Sequence, residues 1–265
     1  IEASEEEIFQ AAQRTHTPYN HVYLRKNTKL EELAEYPVLF YPHPTIMTQE
    51  RADLLKAYVE QGGTLIIGCR SGYKKENGQC VMLPQPGLLK PLTGSDVREF
   101  TFASPAEPAV YARWEDGMES EMPIYHDVME IAQSAENAEN AKVLAYYTGS
   151  FYAGRPAVIE KKTGKGRAIH YGSTFSRANV KQLLSYTGVL SPFEEILSAP
   201  EEVEVICREK DGRKFYFLLN YLPEEKTVVL HEKMRNLYDD AQTEGEFVLK
   251  PYGTAVFTAQ TRSAD

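Results

Sequence analysis

The feature that most constrains this chain is a change of hydrophobic period near residue 200: before it helix and strand signals alternate, after it every apolar run is strand-like. Thr28 with Glu31 forms a capping-box pattern ahead of Leu30, Leu33 and Ala34, and the run PVLFY, Pro37 to Tyr41, reads as a strand. Thr48 then caps a helix whose inner face is Leu54, Leu55, Tyr58 and Val59 and which ends at Gly62, and TLIIG follows as the next strand. Earlier, Ser4 and Glu7 repeat the capping pattern before Ile8, Phe9 and Ala12, and HVYL reads as a strand. Strands this uniformly apolar, joined to helices by short connections, predict a parallel sheet covered on both faces.

The expected fold class is therefore α/β: a flavodoxin-like or class I glutamine amidotransferase-like three-layer domain over residues 1–198, then a small antiparallel β-sandwich over 199–265. Ser191-Pro192 and Ala199-Pro200 bracket a linker, and VEVIC, KFYFLLNY, TVVLHE, EFVL and TAVFT supply the later strands. Between 76 and 128 Pro84, Pro86, Pro91, Pro105 and Pro108 break up any long helix, and Phe100, Phe102, Val110 and Tyr111 mark short strand pieces. VLAYY and PAVIEKK are further strands, Thr163 to Gly166 is a hairpin turn into RAIHYG, and Ser176 caps a last helix running to Gly188. The chain opens on a helix where such layers open on a strand, and residue 1 is isoleucine, so an N-terminal truncation is expected.

A net charge of −9 with no dense basic run excludes a polyanion-binding surface as the main function, so no nucleic-acid partner is expected. No apolar stretch approaches the ~20 residues of a bilayer span, so no membrane partner is expected either. Three irregularly spaced cysteines make neither a disulfide framework nor a zinc site, which leaves a reducing, cytoplasmic setting as the expectation. The six histidines show no i, i+4 pair, and neither a metal nor a cofactor is expected.

The segment GGTLIIGCRSG asks whether Cys69 is a nucleophile on the turn after a buried strand. A nucleophile elbow needs glycines two before and two after the nucleophile, whereas Gly68 is adjacent and Ser71 stands two after. His170 follows a strand where an activating imidazole belongs, but Gly172 occupies the position of its orienting carboxylate. A Cys69–His170 hydrolase is the alternative reading, against a buried thiol at a strand end. Trp114, Tyr125, Phe151 and Tyr152 are aromatics that serve either sugar stacking, as in a carbohydrate-binding module, or core packing.

YVEQGGTLIIGCRSGYKKENGQC, PGLLKPLTG, FYAGRPAVIEKKTGKGRA and LKPYGTAVF together resemble the C-terminal half of β-galactosidases of glycoside hydrolase family 42, in the family's order and across nearly the whole chain. The resemblance implies an amidotransferase-like trimerisation domain that has lost its nucleophile site, a C-terminal β domain, and a preceding (β/α)8 barrel carrying both catalytic glutamates of a retaining mechanism. It implies a homotrimer, with the galactoside substrate and the barrel as partners of the parent chain, and no catalytic residue in this one. Arg70, Ser71 and Gly72 match the family's RSG motif and Phe151, Tyr152, Gly154, Arg155 and Pro156 its FYAGRP motif, both read as supports of loop geometry or of the trimer contact. The chain departs from the family pattern between about 115 and 142.

Overall fold

The computed structural model describes residues 2–104, 106–189 and 191–259. It divides into two units: one takes the chain through Ile8 and from His21 to Val189, the other takes Phe9–Asn20 and the chain beyond Val189.

The chain begins with α1 (Glu2–Arg14), α2 (Leu30–Ala34), β1 (Val38–Tyr41), α3 (Gln49–Gln61) and β2 (Thr64–Ile67). Thr48 caps α3 as its hydroxyl accepts from the Arg51 N–H at 3.3 Å, and Leu55, Tyr58 and Val59 are buried. All four β2 side chains are buried, and each such Leu or Ile contributes about 1.5–3 kcal/mol. Two expectations fail here. Ser4 lies inside α1, and HVYL forms no strand. The α2 start slips by one residue from the expected pattern, with the Lys29 N–H donating to Glu32 Oε1 at 2.8 Å.

Next come α4 (Lys90–Thr93), β3 (Ser95–Phe102), β4 (Tyr111–Trp114), β5 (Glu119–Glu121), β6 (Tyr125–Ile131), α5 (Ala135–Ala138), β7 (Ala141–Tyr147), β8 (Pro156–Thr163), β9 (Gly166–Tyr171) and α6 (Arg177–Thr187). One sheet runs β1-β2-β9-β8-β7-β4-β5, while β3 and β6 form a separate two-stranded ribbon. Only β1, β2 and β9 are parallel, and every other pairing in that sheet is antiparallel.

The expected flavodoxin-like or amidotransferase-like three-layer fold is therefore wrong. The structure is mostly sheet, 39% strand against 20% helix. The physical reason is the connection type. A parallel neighbour needs a crossover of a dozen residues or more, and after β2 the chain advances mainly through hairpins such as Thr163–Gly166. Between α3 and α6 no described helix exceeds four residues, so the helical periodicity of the first quarter of the chain does not continue through that part.

The second unit holds β10 (Leu197–Ser198), β11 (Val203–Lys210), β12 (Arg213–Asn220), β13 (Lys226–Asn236), β14 (Gln242–Leu249) and β15 (Thr254–Ala259). The strands are antiparallel as expected, but they form one connected sheet and not two face-packed sheets. The register of β13 shifts between Leu230 and Met234, so its first half pairs with β10 and its second half with β15, and the sheet curls. Phe193, Val203, Leu218, Leu230, Met234 and Phe257 fill its concave side. Phe193 and Leu197 come from the stretch read as a linker, which is part of this core. Among the described residues no helix is long and apolar enough to cross a membrane.

Candidate functional site

Both sequence motifs of the first unit converge on β6. Cys69 and Arg70 follow β2 directly. The Arg70 backbone N–H donates to Asp127 Oδ2 at 2.9 Å, although Arg70 itself sits at φ 61°, a costly conformation for a side chain of its size. The Ser71 hydroxyl donates to the Gly68 carbonyl at 2.6 Å and closes the loop. Gly72 has φ 66°, and a Cβ there would lie 2.0 Å from the Pro86 carbonyl oxygen, so only glycine lets the two segments meet.

FYAGRP grips the same strand from the other side. Tyr152 is 4% exposed and its hydroxyl bonds His126 Nδ1, with its ring edge-on to Tyr147 at 4.9 Å. Arg155 pairs with Glu130 at 3.1 Å, a carboxylate that also takes Arg98 at 3.0 Å. The Gly154 N–H donates to the Tyr147 carbonyl at 2.8 Å, and Pro156 opens β8. Phe151 is 72% exposed and stacks edge-on against Tyr152. His126, Asp127 and Glu130, the receptors of both motifs, lie inside the 115–142 stretch that departs from the family pattern. No period marks them in the sequence: YHDVMEI does not alternate, and four consecutive residues, His126 to Met129, are buried in the strand.

The imidazole beside Cys69 is His43, not His170. His43 Nδ1 lies 2.8 Å from the Cys69 carbonyl oxygen, which fixes the proton on Nδ1. Its Nε2 accepts from the Ser4 hydroxyl at 2.8 Å, and the Ser4 oxygen accepts the Phe175 N–H at 3.1 Å. The Cys69 sulfur, 3.6 Å from Nδ1, therefore meets an N–H and no lone pair able to take its proton. Burial pushes the Cys69 thiol well up, and the Asp127 charge pushes it further. Burial likewise lowers His43, against the opposing hydrogen bond to the Cys69 carbonyl.

His170 belongs to a different line of contacts. Ser95 donates to Thr93 Oγ1 at 2.8 Å, so its oxygen accepts from His170 Nδ1 at 2.8 Å, while His170 Nε2 faces Asp127 Oδ2 at 3.6 Å. Hydroxyl, imidazole and carboxylate stand in the order of a hydrolytic triad. All three residues are fully buried and the hydroxyl proton is already committed, so no substrate meets them. Tyr147 completes the enclosure, donating to the Asp127 and Gly172 carbonyls at 3.1 and 2.9 Å.

Trp114, the aromatic considered for sugar stacking, is buried with its Nε1 donating to Ser120 Oγ at 3.0 Å, so its ring is unavailable. Tyr125 is exposed. Among the described residues no group of three or more His, Cys, Asp or Glu is placed to hold a metal ion. In the second unit a cavity of about 340 Å³ is lined by Gln13, His16, Tyr19, Glu204, Arg208 and Tyr216. Gln13 and Glu204 there bond each other at 3.2 Å.

The model of the β-galactosidase trimerisation domain matches residues 24–189, and that of the β-galactosidase C-terminal domain matches residues 202–259. Beta-galactosidase BglY of Alicyclobacillus acidocaldarius is 28% identical over 237 residues, 88% of this chain and 33% of that protein. This chain thus spans about a third of the length of the curated relatives it matches. The β-galactosidase of Bacillus circulans sp. alkalophilus superposes with a TM-score of 0.84 at 22% identity, over 97% of this chain and 37% of that one. A catalytic mutant of Gan42B, a GH42 β-galactosidase from G. stearothermophilus, gives 0.83 at 22% identity, over 97% and 36%. The two structures speak for the fold, and the two domain models together cover most of the sequence in the order the motifs require. This chain belongs to the glycoside hydrolase family 42 β-galactosidases and carries their trimerisation and C-terminal domains.

Proposed function

We propose that this chain is the non-catalytic assembly portion of a β-galactosidase, residues 1–198 joining copies into a homotrimer and residues 199–265 forming the C-terminal β domain. Its parent would hydrolyse terminal β-D-galactosides by a retaining mechanism on two glutamates of a (β/α)8 barrel, and galactoside would reach this chain only through that parent. The observation that carries the reading is the trimerisation-domain match over residues 24–189. The buried polar groups support it: they brace loops and leave no nucleophile beside a base. Three free cysteines fit a reducing, cytoplasmic setting. The roles proposed for Arg70 to Gly72 and for Phe151 to Pro156 are structural, holding two surface loops on β6.

The test is light scattering on size-exclusion fractions with a β-galactoside hydrolysis assay on the same fractions. A trimer without turnover is expected. Turnover by this chain would move the chemistry into it and overturn the proposal. A Cys69 hydrolase would instead need a base for the thiol, and His43 supplies none.

A further inference from the structure

Strand β11 is the outer strand of its sheet: the order runs β10-β13-β15-β12-β11, and β11 pairs with β12 alone. Two backbone bonds show which of its groups face away from β12. The Val203 N–H donates to the Pro200 carbonyl at 3.0 Å and the Asn220 N–H to the Gly253 carbonyl at 2.9 Å, so the opposed pair Val203 and Asn220 exchanges no bonds. Antiparallel pairs alternate between bonded and unbonded. Glu204, Ile206 and Arg208 are therefore the residues bonded to β12, and the N–H and C=O groups of Val203, Val205 and Cys207 point outward. Val203 is closed off, since His16 Nε2 donates to its carbonyl at 2.9 Å. Beyond it the row is open. Among the described residues the Val205 N–H and carbonyl and the Cys207 N–H have no hydrogen-bond partner, and the Cys207 carbonyl accepts from Arg208 Nη1 at 3.3 Å. Val205 is 7% exposed, and unmatched backbone groups at such a place call for a partner.

The cavity of about 340 Å³ lies along this row, lined by every residue from Glu204 to Arg208. Phe193, Val205 and Tyr216, all buried, supply the apolar part of its wall. Its one carboxylate is occupied: Glu204 accepts from Gln13 at 3.2 Å and from the Tyr221 hydroxyl. Its cations are not. Arg208 and Lys214 both line the cavity, and among the described residues neither ends on a carboxylate, although Glu209 stands opposite Lys214 in the register. Elsewhere in the unit Lys226 ends on Glu224 at 3.7 Å and Arg235 on Asp240 at 2.6 Å. From Arg208 to Lys214 the chain carries four basic residues against two acidic ones, a basic end on an acidic protein.

We propose that β11 takes up an extended acidic peptide as an added strand. The peptide backbone bonds Val205 and Cys207, its apolar side chains enter the cavity towards Phe193 and Tyr216, and its carboxylates meet Arg208 and Lys214. Two observations choose this occupant. Donors and acceptors repeated at every second residue match the backbone of a strand, and the free cations beside them select negative charge. The site lies outside residues 24–189, so the inference is independent of the assembly reading.

The experiment is calorimetric titration of the full chain with the peptide Ac-EVEVE-amide. It is compared with Ac-KVKVK-amide and with two N-methylated forms of the acidic peptide, one methylated at the valines and one at the glutamates. A strand bonds its neighbour along one edge, so one methylated form is expected to bind at least about ten-fold more weakly and the other as the parent does. Amide hydrogen exchange read by NMR is expected to slow on binding at Val205 and Cys207 and to stay unchanged at Glu204 and Ile206, which already bond β12. Arg208→Glu and Lys214→Glu, both at exposed side chains, are each expected to weaken binding about ten-fold or more with native circular dichroism retained. The methylated peptides leave the protein untouched and keep the test valid should a variant fail to fold. No binding of Ac-EVEVE-amide, equal binding of Ac-KVKVK-amide, or binding indifferent to methylation at either set of positions would overturn the proposal.

Discussion

The backbone N–H of Arg70 donates to the buried carboxylate of Asp127 at 2.9 Å, joining the loop after β2 to the middle of β6. Residues 57 positions apart are thereby locked together, and the strained φ of Arg70 is offset by a charge-assisted hydrogen bond.

Asp127→Ala removes the acceptor and leaves the Arg70 N–H without a partner. The expected cost is about 2–4 kcal/mol in urea unfolding. A loss below about 0.5 kcal/mol would show that the bond does not hold the loop.

Neighbouring positions in FYAGRP separate sharply. Tyr152→Ala empties a packed site against His126 and Tyr147 and is expected to cost about 3–5 kcal/mol, whereas Phe151→Ala is expected to stay within about 0.5 kcal/mol. Equal costs in thermal unfolding would contradict the burial described.

Thiol chemistry should follow exposure. Iodoacetamide at neutral pH is expected to label Cys80 in the folded chain and to spare Cys69 until denaturant is added, read by peptide mass spectrometry. Rapid labelling of native Cys69 would restore it as a nucleophile.

Stability is expected to fall with acidification. Burial lowers the pKa of His43 and of His126 from the ordinary histidine value of about 6.5, so the unfolded chain binds protons that the folded chain refuses. Their contribution is fully present above about pH 6.5 and is lost as the pH drops from there towards the folded values. Urea midpoints at pH 7.5 and 5.5 check this, and His43→Gln should flatten the difference. A midpoint unchanged in wild type would rule the mechanism out.

Much of the chain was legible because local signals carried it. Thr48, Ser176 and the Thr163–Gly166 turn act as their residue types require. The sheet topology was not legible, since the three parallel strands near the start carry the same apolar runs as the antiparallel β8 and β9, and period alone cannot tell a buried strand's direction. Within the site, Arg70 and Tyr152 were found by motif, but their receptors Asp127 and His126 were missed because a buried polar residue shows its partner only in three dimensions. Ser4 carries the same ambiguity: a residue type that caps helices lies inside α1 and bonds His43 instead.

The position of β9 in the sheet has a kinetic consequence. On one side it pairs with β8 through a tight hairpin, and on the other Arg167 sits opposite Thr64, 103 residues away in sequence. Closing the longer loop costs about 3 kcal/mol more in chain entropy than closing the hairpin. The β7–β8–β9 meander is thus the natural nucleus, and β1 and β2 add late as a detachable edge. Substitutions in the meander should slow refolding, whereas those in β1, α3 and β2 should chiefly hasten unfolding.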